Sequence, residues 1–372
     1  MVRIDDRVDP AVAAAADAGK GAKSPAGRNA AIDLLRGGSM LYIVGFWHLL
    51  GYVDGIDGYK NAVTYPLTIA VLGLFTLMAG CLAGRREVRG FSDLLKYYRA
   101  RAIRILPPYA LALVLFVPTG LLQWPDVGRG LLLLPAFDGQ PLRTLWFVNV
   151  LVVGYLLAPL LLLLRHRLLA AGVGRGWALA VVAGCSVVAL ALLVRLCPGL
   201  DPRFTLYFPA FATGLLLANP LLDPQRGALS RLQRVILTVL AVAAVAFTLG
   251  VEGRDFETSL RSLPMATILP ALMVLAATRR WHGLNLPGWM QAVSYASYFM
   301  YLFHRPILRV VTDTAVGLGA PQPWPLLLIL LALGMPLVVV ITLWGQCLYD
   351  QSLKASSRAA NHSAASTPPP VR

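Results

Sequence analysis

The sequence predicts an all-α fold, a polytopic membrane helix bundle of about ten transmembrane helices with both termini in the cytoplasm. Three observations carry this. Of 372 residues, 57% are hydrophobic and only 14% charged, where a soluble domain usually carries about a quarter charged residues. The apolar residues come in runs of about 17 to 25, the length that crosses a hydrocarbon core of about 30 Å. These runs lack the polar stripes of soluble helices. Finally, the basic residues keep to one side when the runs are threaded back and forth.

Residues 1–30 are rich in Ala, Asp and Gly and have no apolar core of signal-peptide type, so a disordered cytoplasmic tail is expected there. Residues 351–372, rich in Ser, Ala and Pro, predict a second such tail. Between them, 31–350 forms the membrane domain. Its spans fall at roughly 31–51, 62–83, 103–121, 145–164, 177–197, 204–219, 235–250, 260–278, 291–311 and 324–348. The third begins after a basic turn and carries Pro107 and Pro108 just inside, a kink or a helix start. The run from Leu131 to Leu134 is too short to span and predicts a re-entrant or interfacial piece.

With the N-terminus inside and ten alternating spans, the inner side collects 23 of the 33 Lys and Arg residues. These are Arg3, Arg7, Lys20, Lys23 and Arg28, seven between Arg85 and Arg104, Arg165, Arg167, Arg175, Arg226, Arg231, Arg234, Arg279, Arg280, Lys354, Arg358 and Arg372. The outer segments hold seven, Lys60, Arg129, Arg143, Arg203, Arg254, Arg261 and Arg309, together with acids such as Asp54, Asp57, Glu252 and Glu257. Retention of Lys and Arg in cytoplasmic loops accounts for the net charge of +15, so no nucleic-acid partner is expected. Cys81, Cys185, Cys197 and Cys347 are scattered through apolar stretches without metal or redox spacing and read as small packing residues. No metal site is expected.

An ionisable group at membrane depth is costly, by about 2.5–3.5 kcal/mol on insertion scales, and each is a functional candidate. The first span carries Asp33, Arg36 and His48, the fifth Arg195, the ninth His304 and Arg305. His48 lies twelve residues beyond Arg36, about 18 Å further out on a helix, which leaves Arg36 near the cytoplasmic mouth with Asp33 as its expected partner. His48 alone reads equally as a hydrogen-bond partner of a neighbouring helix or as a proton acceptor, since an imidazole titrates near neutrality. In SYASYFMYLFHRP, residues 294, 298, 301 and 305 share one helical face, a polar stripe that also reads as interhelical glue with a tyrosine belt. Arg101 and Arg104, at i and i+3, suit either forked gripping of phosphate or topogenic charge against head groups. His166, His282 and His362 read as solvated.

AIDLLRGGSMLYIVGFWH, FTLMAGCLAGRR, YYRARAIRILPPY, LWFVNVLVVGYLLAPLL, YFPAFATGLLLA and SYASYFMYLFHRPIL, in this order, resemble the acyltransferase 3 family of integral membrane O-acyltransferases. The likeness covers nearly all of 31–350. It implies transfer of an acyl group, commonly acetyl, from cytoplasmic acyl-CoA to a hydroxyl of a saccharide or other acceptor. No cofactor is bound permanently, acetyl-CoA being a donor substrate. Arg36 and His48 correspond to the family's catalytic first-helix pair, and Arg101 and Arg104 to the pair that holds the donor, with Arg85 and Arg86 as helpers. His48 then serves as general base or as a transient acyl carrier. His304, with Tyr298 or Tyr301, would orient the acceptor or stabilise the oxyanion.

The chain departs from the family pattern twice. Eleven residues separate Arg36 from His48 where the family has ten, which turns His48 by about 100° unless a π-bulge, or a loosened turn at Gly37-Gly38, absorbs one. Asn149 stands in LWFVNV where members with large acceptors show a Glu, which points to another subgroup with Asn149 at the substrate. The rival reading is a transporter or flippase in which the same His and Arg residues line a substrate or proton path; thiol release from acyl-CoA separates the two. A multi-pass protein of the cell membrane is expected on either reading, and the acceptor ranges from envelope polysaccharide to a small metabolite.

Overall fold

A helix covers each of the ten apolar segments in the computed structural model of the protein, which describes residues 29–222, 230–249, 251, 256–281, 284–319 and 323–365. Residues 1–28 and 366–372 of the predicted tails, with Arg3, Arg7, Lys20, Lys23, Arg28 and Arg372, lie outside the described residues, as do Arg226, Glu252, Arg254 and His282 and the side chains of Arg358 and His362. The described residues form no sheet, only an isolated bridge between Asp138 and Gly199. Six of the helical segments are long and apolar enough to cross a membrane: Thr64–Gly84, Arg143–Ala170, Arg175–Leu196, Arg231–Thr248, Phe256–Arg280 and Trp324–Ser356. The protein is a membrane protein.

The helices are α1 Ala30–Tyr42, α2 Thr64–Gly84, α3 Phe91–Phe116, α4 Trp124–Leu131, α5 Trp146–Ala170, α6 Arg175–Leu196 and α7 Arg203–Leu216. They continue with α8 Ala218–Leu222, α9 Arg231–Thr248, α10 Phe256–Arg261, α11 Leu263–Arg280, α12 Gly288–Gly317, α13 Trp324–Ile329 and α14 Met335–Ala365. Asn29 caps α1 by accepting a hydrogen bond from the Ala31 amide at 3.0 Å. The last helix runs to Ala365, past residue 350 where composition places the start of a tail; Lys354-Ala355-Ser356-Ser357-Arg358-Ala359-Ala360 contains no helix breaker.

Burial separates the helices into a centre and a rim. Of the most apolar window of α2, 78% is buried, against 11% in α9 and 17% in α6. The centre packs closely because glycines let backbones touch. A Cβ on Gly80 would stand 2.1 Å from the Phe211 carbonyl oxygen, and one on Gly214 would stand 2.0 Å from that of Leu77. The small residues of FTLMAGCLAG are therefore the seam between α2 and α7, as small residues are between membrane helices generally. On the rim, Trp177, Val187, Val188, Leu232, Val239 and Val242 point outward, apolar side chains suited to lipid contact. Cys185 is exposed on α6, so it does not pack as the sequence suggests, whereas Cys81 is buried.

Pro107 and Pro108 lie inside α3 without ending it. A proline has no N–H, so Pro107 leaves the Ile103 carbonyl without its helical donor. The Tyr349 hydroxyl of α14 donates to that carbonyl. The Tyr298 hydroxyl of α12 donates to the Ile105 carbonyl at 2.9 Å. Of the carbonyls that the two prolines free, that of Ile103 is thus met from a neighbouring helix.

The Leu131 to Leu134 run stays outside the long helices. It joins α4 to a 3-10 turn, Leu134–Ala136. Arg129 holds this segment by ion pairs to Asp126 at 3.1 Å and Asp138 at 2.5 Å. The Asp201 amide donates to the Ala136 carbonyl at 3.1 Å. An ordered cap results, and it carries Arg143 and Thr144 toward the site.

Candidate active site

The first span does not stay α-helical to its end. α1 passes into a π-helical turn, Ile43–His48, with the Leu49 amide donating to the Val44 carbonyl five residues back at 3.2 Å. A π-turn takes up one residue that an α-helix would carry round by about 100°. The extra residue between Arg36 and His48 is accommodated here and not at Gly37-Gly38. Those glycines remain within regular helix, and Gly37 is pressed against Met290, where a Cβ would stand 2.5 Å from the sulfur.

The turn delivers His48 to α12. The His48 and His304 rings stack, with centroids 4.8 Å apart and planes 6° from parallel. His304 is fully buried, and its Nδ1 donates to the carbonyls of Met300 at 3.0 Å and Tyr301 at 2.9 Å. Carbonyls only accept, so the network assigns the neutral ring its proton on Nδ1 and leaves Nε2 as the lone-pair nitrogen. Neither that Nε2 nor His48 Nδ1 has a hydrogen-bond partner in the protein.

Other polar residues of α1 face α12 as well. Ser294 donates to the Asp33 carboxylate at 2.7 Å and Arg36 donates to the Ser297 hydroxyl at 2.8 Å. Asp33 and Arg36, one turn apart on α1, thus each reach a serine of α12. Arg36 and His48 are held by the same helix at separate levels. Past the π-turn, Tyr52 donates to the Arg305 carbonyl at 3.1 Å, and the Arg305 guanidinium lies 5.9 Å from the Tyr52 ring centre.

His48 lines a cavity of about 410 Å³. Its walls include Trp47, Tyr59, Tyr65, Trp146 and Tyr207, hydroxyls of Thr68, Thr144, Ser259 and Ser262, and four cations, Lys60, Arg143, Arg203 and Arg305. His304 sits behind His48 and does not reach the cavity. Arg203 makes a forked ion pair with buried Asp201, at 2.8 and 2.5 Å, and stacks on Trp146 at 3.8 Å. Arg143 donates to the Leu121 carbonyl at 3.1 Å and adopts φ +29°, a left-handed backbone that costs a non-glycine residue about 1–3 kcal/mol. Such strain at a cavity wall is where function tends to place it.

The remaining sequence candidates lie elsewhere. Tyr301 donates to the Thr144 carbonyl and so braces the cavity wall from behind; Tyr298, bonded to Ile105, braces the opposite, basic end of α3. Asn149 is buried on α5, its carbonyl accepting from Tyr109 at 3.3 Å and its amide nitrogen unpartnered. None of the three lines the cavity. At the basic end, the Arg101 guanidinium lies over the rings of Tyr155 at 4.6 Å and Tyr97 at 5.5 Å. Arg104, Arg85 and Arg86 are exposed. Among the described residues, no group of three or more His, Cys, Asp or Glu side chains is placed to hold a metal ion.

Lys60, Arg143 and Arg203 carry no motif and escape the sequence reading as site residues. One signal marks them: they are three of the seven basic residues that charge sidedness leaves on the wrong face.

A helical membrane protein with a stacked histidine pair beside a polar cavity is the class that fold and site define. The chain belongs to the acyltransferase 3 family, whose acyltransferase domain matches residues 29–343. The curated proteins and the solved structures gave no match. The protein is accordingly a membrane acyltransferase.

Proposed function

We propose that the protein moves an acyl group, acetyl in the simplest case, from cytoplasmic acyl-CoA to a hydroxyl of a saccharide or similar acceptor. The observation that carries this reading is the position of His48, on the wall of a 410 Å³ cavity and stacked on a histidine whose own proton is fixed. In the reaction His48 takes the proton of the acceptor hydroxyl while its oxygen attacks the thioester carbonyl carbon. The C–O bond forms, the C–S bond breaks, and CoA leaves as the thiol once it has received a proton. His304 acts by holding the His48 ring in place.

The donor docks at the other end of the bundle. Arg101 and Arg104 grip its phosphates, Arg85 and Arg86 add charge, and the pantetheine arm passes Arg36 between α1 and α12. In this reading the protein lies in the cell membrane with ten spans and both ends inside. Contacts between loops support the threading. Leu121 with Arg143, Asp138 with Gly199 and Tyr52 with Arg305 join segments that charge sidedness puts outside, and Leu221 with Thr278 joins two that it puts inside.

The test is release of CoA thiol from acetyl-CoA by the purified protein in detergent, with a membrane glycan extract as acceptor source. The wild type releases thiol and His48→Ala does not, while both elute identically on size exclusion. Full release by His48→Ala contradicts the base assignment, and no release by the wild type returns the protein to the transporter class.

A further inference from the structure

The cavity beside His48 has a charge that acyl transfer to a neutral sugar does not need. Among the described residues, four cations line it and no Asp or Glu does. Asp201 neutralises Arg203. The other three meet uncharged partners: Arg143 the Leu121 carbonyl, Arg305 the Tyr52 ring, and Lys60 the Tyr59 ring at 5.2 Å. Among the described residues, no carboxylate lies within ion-pair distance of Lys60, Arg143 or Arg305. The Arg305 Nε is buried without a hydrogen-bond partner.

Arg203 and Arg305 are half-buried in the wall, while Lys60 and Arg143 are exposed. Like charges converging on one cavity repel each other, and an anion between them relieves that repulsion. Aromatic walls lower the local dielectric and strengthen the field inside. Arg143 is moreover held there against its backbone preference.

We propose that this cavity recognises an anion: the acceptor carries a carboxylate or phosphate group, which Lys60, Arg143 and Arg305 hold while a hydroxyl of the same molecule meets His48. The acceptor is then an acidic or phosphorylated saccharide or a comparably charged hydroxy compound, and not a neutral sugar. This rests on the cavity being the acceptor site. Phosphate of the donor is the other source of the same chemistry, and the test separates them.

Ser259 is buried and faces the cavity. In full-length protein in detergent with Cys185, Cys197 and Cys347 replaced by Ser, Ser259→Cys is labelled with a sulfonate-bearing or a trimethylammonium-bearing methanethiosulfonate. At low salt the anionic reagent reacts at least about tenfold faster, the scale on which a focused field concentrates ions. Combining Lys60→Gln with Arg305→Gln brings the ratio toward unity. Adenosine 3′,5′-bisphosphate, the phosphate-bearing part of the donor, does not slow the labelling. Equal rates, faster labelling by the cation, no labelling by either, a ratio unmoved by the double substitution, or protection by the bisphosphate each overturn the proposal. Thr258→Cys gives the same comparison should Ser259→Cys fold poorly. Charge selectivity that persists while acetyl-CoA thiol release fails refutes the transferase reading and leaves the anion pocket; the converse refutes the pocket alone.

Discussion

The two ends of the bundle are both cationic, but they hold their cations differently. At the Arg101 end the side chains are exposed or lie over tyrosine rings. At the His48 end they line one cavity, with Arg203 committed to Asp201, Arg305 half-buried and Lys60 and Arg143 exposed. The first arrangement is open enough to bind something large and polyanionic from solution. The second shapes a small volume beside His48. In the proposed threading, charge at the Arg101 end is what topology requires in any case. Charge at the His48 end then has no topogenic reason, and so it is the better marker of chemistry.

The largest effect that would break this contrast comes from His48. General base catalysis contributes about 10²–10⁴-fold, and His48→Ala should lower the rate of thiol release by that order with little change in the apparent KM for acetyl-CoA. If the KM rises instead, the two ends are not functionally separate. Next in size is the seam that fixes the ends relative to each other. Gly214→Ala puts a Cβ 2.0 Å from the Leu77 carbonyl oxygen, an overpacking that costs about 1–3 kcal/mol or more. Thermal unfolding in detergent should show a clear loss, with Gly174→Ala, where nothing stands within 4 Å, as the unaffected control.

The Arg101 end should respond in the opposite kinetic sense. A charge-assisted hydrogen bond to phosphate is worth about 1.5–3 kcal/mol. Arg101→Gln and Arg104→Gln should each raise the KM for acetyl-CoA by about tenfold or more and spare the turnover number. Initial rates across acetyl-CoA concentrations read this directly. The smallest effect belongs to Tyr349→Phe, which removes the donor to the Ile103 carbonyl that Pro107 leaves unmet. A net hydrogen bond contributes about 1 kcal/mol, so a small drop in thermal stability with unchanged kinetics is expected.

Helix placement was legible because apolar length and charge sidedness are local properties of the chain. The polar face of α12 was legible only in part: Ser294 meets α1 there, but Ser297, outside the face read from spacing, meets it too. The stacking of His48 on His304 was not, because it depends on where one surplus residue is absorbed. Of the two ways the sequence offers, a π-bulge or a loosened turn at Gly37-Gly38, close packing on Met290 keeps the glycines regular and a π-turn falls at 43–48. Nor could spacing show that Tyr298 and Tyr301 spend their hydroxyls on backbone carbonyls. The cavity itself is built from six separated stretches of chain, and only folding brings Lys60, Arg143, Arg203 and Arg305 together.

The most direct measurement is chemical rescue. With His48→Ala the cavity wall loses its base but keeps a space that imidazole can enter. Added imidazole should restore thiol release from acetyl-CoA in the mutant, saturably and without stimulating the wild type. A mutant as active as wild type before any addition would contradict the account.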